Sequence, residues 1–345
     1  MARQSRFHGV SRLRSTLKEQ MVSFILRRLL HAIPLLLAVV VLNFLLIAFT
    51  PGDPITLLVG DFPAPPEYLE QMRREFGLDQ PIWVQLLRYL GKVAQGDFGY
   101  SFANQQPVAT LILERLGATL ELTLTALAFA SVVGIAFGIL AARSASRPGR
   151  SLADSTIQGA SSAGYAIPDF WLGQLLILVF AIWLGWLPSQ GNNPVRGVAP
   201  GFDGFVEHLR YLMLPAFALS LRYLTLITRI TRAAMLEVMG ADFILASRAR
   251  GAGEWTVVVV HALRNAAAPV ITVIGYNVGF VLAGSALIEA VFAWPGIGRL
   301  LYESISKRDY PVMLAILLMV SATVVIANLL TDILHRVIDP RIERA

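Results

Sequence analysis

The chain of 345 residues is 55% hydrophobic and only 15% charged, with a mean hydropathy of +0.61. A water-soluble domain carries about 25% charged residues, so this composition excludes an ordinary soluble globule. There is no cysteine, which removes disulfides, thiolate nucleophiles and cysteine-held metals. The formal charge of +6 has two candidate sources, a nucleic-acid surface or basic residues gathered on one side of a membrane. Its distribution along the chain decides for the second.

Residues 1–28 form a basic head without a sustained apolar run, and Met21 within it is an alternative start. The first stretch long enough to cross a bilayer, about 20 residues, is 29–50. Arg27 and Arg28 precede it and place the N-terminus in the cytoplasm. Its length and the TPGDP that ends it predict a retained helix rather than a cleaved signal peptide. Residues 51–117 carry Pro, Gly and more acidic than basic side chains. They read as an outer-face segment, with short helices predicted over Pro66–Phe76 and Ile82–Val93.

A five-helix core is expected over 118–335, with spans at Leu120–Ala142, Leu152–Trp186, Leu212–Ile230, Val270–Leu287 and Val312–Leu334. The run from Leu152 is too long for a straight crossing, which predicts a tilt or a break at Pro168. RSASRPGR, Arg229 and Arg232 mark cytoplasmic ends, a cytoplasmic loop covers 233–268, and 336–345 form a cytoplasmic tail. The fold class is therefore all-α, a polytopic membrane protein of about six transmembrane helices with both termini inside. The basic pI reflects topology, and no nucleic-acid partner is expected.

Several chemistries are missing. No G-x-x-x-x-G-K-[ST] loop cradles a nucleotide, no H-E-x-x-H holds a metal, and His8, His31, His208, His261 and His335 are scattered. GASSAG at Gly159–Gly164 misses G-x-S-x-G by one position and lies in a predicted span. Small residues there, and in GIAFG at Gly134–Gly138 and GYNVG at Gly275–Gly279, read as sites of close helix packing. WPGIG, from Trp294, reads either as a re-entrant turn or as an interfacial anchor.

Two charges fall near the predicted midplane. Asp169 follows Pro168, and Arg222 lies in ALSLRYLTL. An ionisable group at that depth costs several kcal/mol facing lipid, so each should face a cavity or a partner. They are candidates for the translocation path, pairing with each other or with the termini of a passing zwitterion; the alternatives are a structural ion pair, or snorkelling. Asn277 is a further path candidate, with Asn328 and Asp332 behind it.

The stretch DFILASRARGAGEWTVVVVHALRNAAAP, Asp242–Pro269, separates two of the spans. Short helices are predicted over Asp242–Arg250 and Glu254–Asn265, joined by Gly251-Ala252-Gly253, where positive φ costs little. Ala246, Ala249 and Gly251 make a shallow surface, while Arg248, Arg250 and Arg264 can reach carboxylates or helix C-termini on a partner. So short a helix cannot hold itself in place. It docks on its own protein or on a second one.

Taken with FILRRLLHAIPLLL, TPGDP, GLDQPIWVQLLRYLGKVAQGDFGYSF, AIPDFWLG, LPAFALSLRYLTLITRITRAAMLEV, EAVFAWPGIGRLLYESISKRDYPV and DPRI, in that order from Met21, this loop resembles the EAA coupling element of the dipeptide/oligopeptide permease family of ABC importers. The resemblance implies a type I, MetI-like permease fold in a bacterial inner membrane. By position it implies that Asp242, Ala246, Ser247, Arg248, Ala249 and Gly251 form a docking helix and turn in a groove of a separate ATPase. His261, Arg264 and Asn265 would lie in the return helix leading to Pro269. Leu245-Ala246-Ser247 stands where the generic loop reads Glu-Ala-Ala, so no salt bridge is assigned there.

The resemblance further implies a chain without catalysis or a cofactor of its own, ATP and Mg being bound by two partner ATPase subunits. It implies a second homologous permease subunit, an outer-face solute-binding protein, surrounding lipid, and a peptide cargo. Nickel chelates, glutathione, murein peptides and opines are the alternative cargoes. A membrane-embedded hydrolase would need a Ser/His, paired-Asp or metal constellation in the spans, and a secondary carrier would more naturally show an inverted repeat.

Overall fold

The computed structural model describes residues 27–338 except 29, 47, 50–64, 66, 68, 69, 71, 72, 75, 76, 78, 102, 147–151, 195, 196, 198, 199 and 280–284. The basic head, the tail and most of the helix predicted over Pro66–Phe76 lie outside the described residues. In chain order the helices are α1 (Leu30–Leu46), α2 (Ile82–Ala94), α3 (Val108–Ala145), α4 (Leu152–Ala166) and α5 (Asp169–Leu176), which runs on as π-helix over Ile177–Trp183. They continue with α6 (Phe202–Met239), α7 (Asp242–Ala249), α8 (π over Thr256–Ala262, then α over Leu263–Gly279), α9 (Ala286–Val291), α10 (Ile297–Ser306) and α11 (Tyr310–Ile338).

Among the described residues, 4 helices are long and apolar enough to cross a bilayer, or 5 if the bent pair α4–α5 counts as one span, and α1 is a shorter apolar helix. The expected break at Pro168 is a bend of 99°. Proline cannot donate its N–H and forces the residue before it out of the helical region.

Three boundaries differ from the sequence reading. α3 begins at Val108 instead of Leu120, because charges at Glu114 and Arg115 interrupt an apolar window without interrupting a helical face. Val108, Leu111 and Ile112 are buried with Ile297, Leu300 and Val312, while Glu114 stays exposed. The fifth span starts at Thr256, so the second arm predicted as a separate short helix over Glu254–Asn265 is the beginning of α8, with Pro269 inside it. Residues Ala286 and Leu287, assigned to the end of that span, open the separate helix α9. Sequence reading also missed a small antiparallel hairpin, β1 (Tyr100–Ser101) against β2 (Gln106–Pro107). Ser101 Oγ ties it to α11's start by donating to buried Asp309 at 2.5 Å.

The central core joins α3, α6 and the α9–α10 turn through Leu122, Ala126, Leu219, Ile227, Ile288 and Trp294. α3 and α6 meet at glycines: a Cβ on Gly138 would lie 2.5 Å from Thr231 Cβ, and one on Gly134 would lie 3.0 Å from Leu224 O. Gly275 of α8 approaches Thr331 of α11 equally closely, whereas Gly159 faces open space. The small-residue reading thus holds for GIAFG, for Gly275 and for Gly164 of GASSAG, where a Cβ would lie 2.9 Å from Thr225 Cγ2, and fails at Gly159. A leucine at Gly138 is expected to destabilise the bundle by about 1–3 kcal/mol through overpacking. Thermal unfolding in detergent checks this, and an unchanged midpoint would contradict it.

The WPGIG segment is a turn held from within. Trp294 is fully buried, its indole N–H donating to Ala118 O at 2.8 Å, so the interfacial-anchor reading falls. Buried Glu289 organises the turn. Its carboxylate accepts from Thr119 Oγ1 (2.8 Å), Ser285 Oγ (2.8 Å) and the Arg299 backbone N–H (3.0 Å). Thr119 Oγ1 in turn accepts the Ile297 N–H at 2.7 Å, so two of the orphan donors at α10's N-terminus are satisfied. Every group meeting this carboxylate is a donor. Glu289→Gln, which points an amide N–H₂ into donors, is therefore expected to cost about 1–3 kcal/mol, and the same unfolding measurement reads it.

Candidate coupling elbow and translocation cavity

α7 has only two buried side chains, Ile244 and Ser247. Ile244 enters a cluster with Met235 and Met239 at the end of α6 and Val257, Val258 and Ala262 at the start of α8. Helical spacing then turns the other faces outward: Asp242, Phe243, Leu245, Ala246 and Ala249 are exposed.

The helix ends in a Schellman turn. The Ala252 N–H bonds back to Ser247 O (3.2 Å) and the Gly251 N–H to Arg248 O (2.9 Å), with Gly251 at φ +80°. A side chain at Gly251 would meet open space but would be strained in that left-handed conformation. Arg248 closes the elbow by pairing with Glu254 across the turn, at 3.0 and 3.3 Å. Both groups are partly exposed, so this pair contributes at most about 1 kcal/mol.

The residues assigned to docking therefore divide. Asp242, Ala246, Ala249 and Gly251 lie on the exposed side. Ser247 is buried against its own chain and cannot present itself to a partner without unfolding the elbow. Arg248 is engaged with Glu254. In the return arm, Arg264 and Asn265 are exposed, and Asn265 donates to His261 O at 2.7 Å. The exposed Phe243, Leu245 and Trp255 were missed in the sequence. The signal was available, since large apolar residues on both sides of a buried Ile244 cannot all face inward on one short helix.

Asp169 and Arg222 come together. Both line a cavity of about 360 Å³, with Tyr165, Pro168 and Phe170 around the α4–α5 bend and Leu287 and Ile288 from α9. Among the described residues no hydrogen bond or ion pair joins the two side chains, although they are near enough to interact electrostatically, so the expected mutual pair is not formed as a direct contact. Asp169 opens α5, where a carboxylate suits the positive end of the helix dipole. Asn277 is buried elsewhere, donating to Val273 O at 2.6 Å, and is not among the cavity's lining residues. Asn328 is exposed on α11, and the side chain of Asp332 lies outside the described residues.

Between elbow and cavity lies a clasp that sequence reading did not find. Arg232 of α6 grips Asp154 of α4 with two parallel hydrogen bonds, Nε–Oδ1 at 2.6 Å and Nη2–Oδ2 at 2.7 Å. Gln158, one turn on, lies against the same guanidinium. Orienting its carbonyl toward those donors gives further contacts at 3.1 Å.

Comparison with known proteins follows this architecture. The model of the binding-protein-dependent transport system inner membrane component matches residues 134–344, and the model of its N-terminal part matches residues 21–123. The chain is 40% identical over 339 residues to the dipeptide transport system permease protein DppB of Escherichia coli K12, covering 93% of this chain and 99% of that protein. It is 41% identical over 324 residues to the oligopeptide transport system permease protein AppB of Bacillus subtilis, covering 94% and 100%. A solved chain of the MetNI methionine ABC transporter, in inward-facing conformations, superposes with a TM-score of 0.53 at 22% identity, covering 66% of this chain and 96% of that one, which speaks for the fold alone. The chain belongs to the family of inner membrane components of binding-protein-dependent transport systems.

Proposed function

We propose that this chain is a permease subunit of an ATP-driven peptide importer, in which the α7 elbow is the handle grasped by a separate ATPase. The observation that carries this reading is the elbow itself. α7 is fixed to the bundle through Ile244, and its outward side offers Phe243, Leu245, Ala246 and Ala249, an apolar and small-residue surface suited to a groove on another protein. ATP and Mg are held by two partner ATPase subunits, and this chain contributes no catalytic group. A second homologous permease completes the path, a solute-binding protein delivers cargo at the outer face, and both termini lie in the cytoplasm. Peptide cargo is supported by the dipeptide and oligopeptide permeases among its relatives.

Closure of the ATPases would drag the two elbows, and α6 would carry that movement into the membrane. Affinity purification of the tagged chain, expressed with the ATPase subunits of a peptide importer, tests the reading. A stoichiometric complex that hydrolyses ATP is expected. Chain that purifies alone and still moves solute across vesicles would contradict it.

A further inference from the structure

We propose that the cavity between the α4–α5 bend, α6 and α9 is a cargo site for a short peptide with both termini free. Asp169 would receive the ammonium and Arg222 the carboxylate. This rests on the permease reading above and deepens it by giving the path a binding site with a defined chemistry.

A carboxylate and a guanidinium placed within a transmembrane bundle normally pair, because an isolated charge in low dielectric is expensive. Here they line one cavity with no hydrogen bond or ion pair between them, Asp169 half-buried and Arg222 exposed. A cavity that carries one charge of each sign on an otherwise mostly apolar lining matches a molecule that is charged at both ends. The rest of the lining is Tyr165, Ala166, Ile167, Pro168, Phe170, Leu287 and Ile288, mostly apolar and without a further charge to read a particular side chain. Its volume of about 360 Å³ falls in the range of pockets that enclose small ligands.

The placement also suits release. One charge stands at the bend of α4–α5 and the other on α6, so relative movement of the two elements changes the distance between the charges. A zwitterion bridging them is then held in one conformation and freed in another, with no chemistry required. An uncharged solute gains nothing from this arrangement and leaves both charges without a counter-charge. The cavity thus selects against it, independently of selection by the binding protein.

The absence of cysteine from the chain makes a direct test clean. Ala166→Cys places one thiol on the cavity wall, with Ile167→Cys as the second choice if the first disturbs assembly. The complete complex, in detergent so that both faces are reachable, is labelled with N-ethylmaleimide, and labelling of this subunit is followed by mass. Dialanine at ten times its dissociation constant fills roughly nine-tenths of the sites and should slow labelling about tenfold. N-acetyl-dialanine amide, which lacks both charges, should not protect. Adding Asp169→Asn or Arg222→Gln should abolish protection while the subunits still assemble.

Protection that survives in both variants would overturn the proposal, as would equal protection by the blocked peptide. Variants that no longer assemble would show instead that the two charges are held by the neighbouring subunit, and that also overturns it. If the unmodified complex forms and takes up dialanine yet shows no protection, the cavity assignment alone fails. If it takes up no dialanine at all, the peptide reading beneath it fails too.

Discussion

Replacing Ile244 by aspartate is expected to abolish uptake and to release the ATPase subunits while leaving the spans inserted in the membrane. Ile244 is fully buried, and it is the apolar anchor of an α7 that has only 8 residues. Isolated helices that short do not persist in water, so α7 is helical because it is docked. Truncating a buried Ile typically costs about 2–5 kcal/mol, and aspartate adds an unpaired charge among Met235, Met239, Val257 and Val258. That exceeds what so small a contact can lose. Ile244→Val, which costs about 0.5–1.5 kcal/mol, should keep the elbow in place and retain most uptake. Transport into vesicles and co-purification of the ATPases read both variants. Normal uptake by the aspartate variant would mean that the elbow's seat does not matter to coupling.

The clasp should give the second large effect. Arg232→Ala removes the fork that holds α4 to α6 and leaves Asp154 facing a site from which its two strongest donors have gone. The side chains are 21% and 17% exposed. The penalty therefore falls between that of a surface pair and that of a buried one, about 1–3 kcal/mol. Its position makes the functional consequence larger than the energetic one. Arg232 lies about 15 Å along α6 from Arg222 at the cavity, and Met235 and Met239, just beyond it, seat the elbow. In the proposed coupling, a pull on α7 would reach α4 through this bond.

Uptake by Arg232→Ala is expected to fall at least about tenfold, corresponding to some 1.4 kcal/mol of lost coupling, while ATP hydrolysis continues. Arg232→Lys should restore only part of it, since an ammonium cannot reproduce two parallel bonds. Exchanging the pair, Asp154→Arg with Arg232→Asp, should recover more than either single change. A transport-to-hydrolysis ratio equal to that of the unmodified protein in Arg232→Ala would remove the clasp from the coupling route.

Much of this architecture could be read from the chain because membrane insertion is a one-dimensional constraint. Apolar runs near the bilayer's thickness must span it, and a proline inside an over-long run must bend it, as Pro168 does. Helix ends were harder. Glu114 and Arg115 made α3 look shorter than it is, since hydropathy reports where lipid stops and not where hydrogen bonding stops. Pro269 and the polar residues before it made the return arm look separate from α8. The exposed side of the elbow followed partly from small residues, but the burial of Ser247 did not, because motif position does not say which way a helix is turned. The packing of Ile244 decides that. Asp169 and Arg222 were identifiable as costly charges, and their meeting at one cavity was an inference from depth alone. Asp154 and Arg232 lie 78 residues apart, and nothing in one sequence announces that they touch.

The claim on which the rest stands is that the outward side of α7 sits in another protein's groove, and proximity at that surface tests it most directly. A benzophenone amino acid placed at Ala246, exposed on α7, should on illumination join this chain to an ATPase subunit in the assembled transporter. The yield should change when ATP is bound. The same probe at Val132, exposed on α3 among the spans, should give no such adduct. A transporter that hydrolyses ATP and takes up peptide, yet yields no ATPase adduct from position 246, would contradict the account.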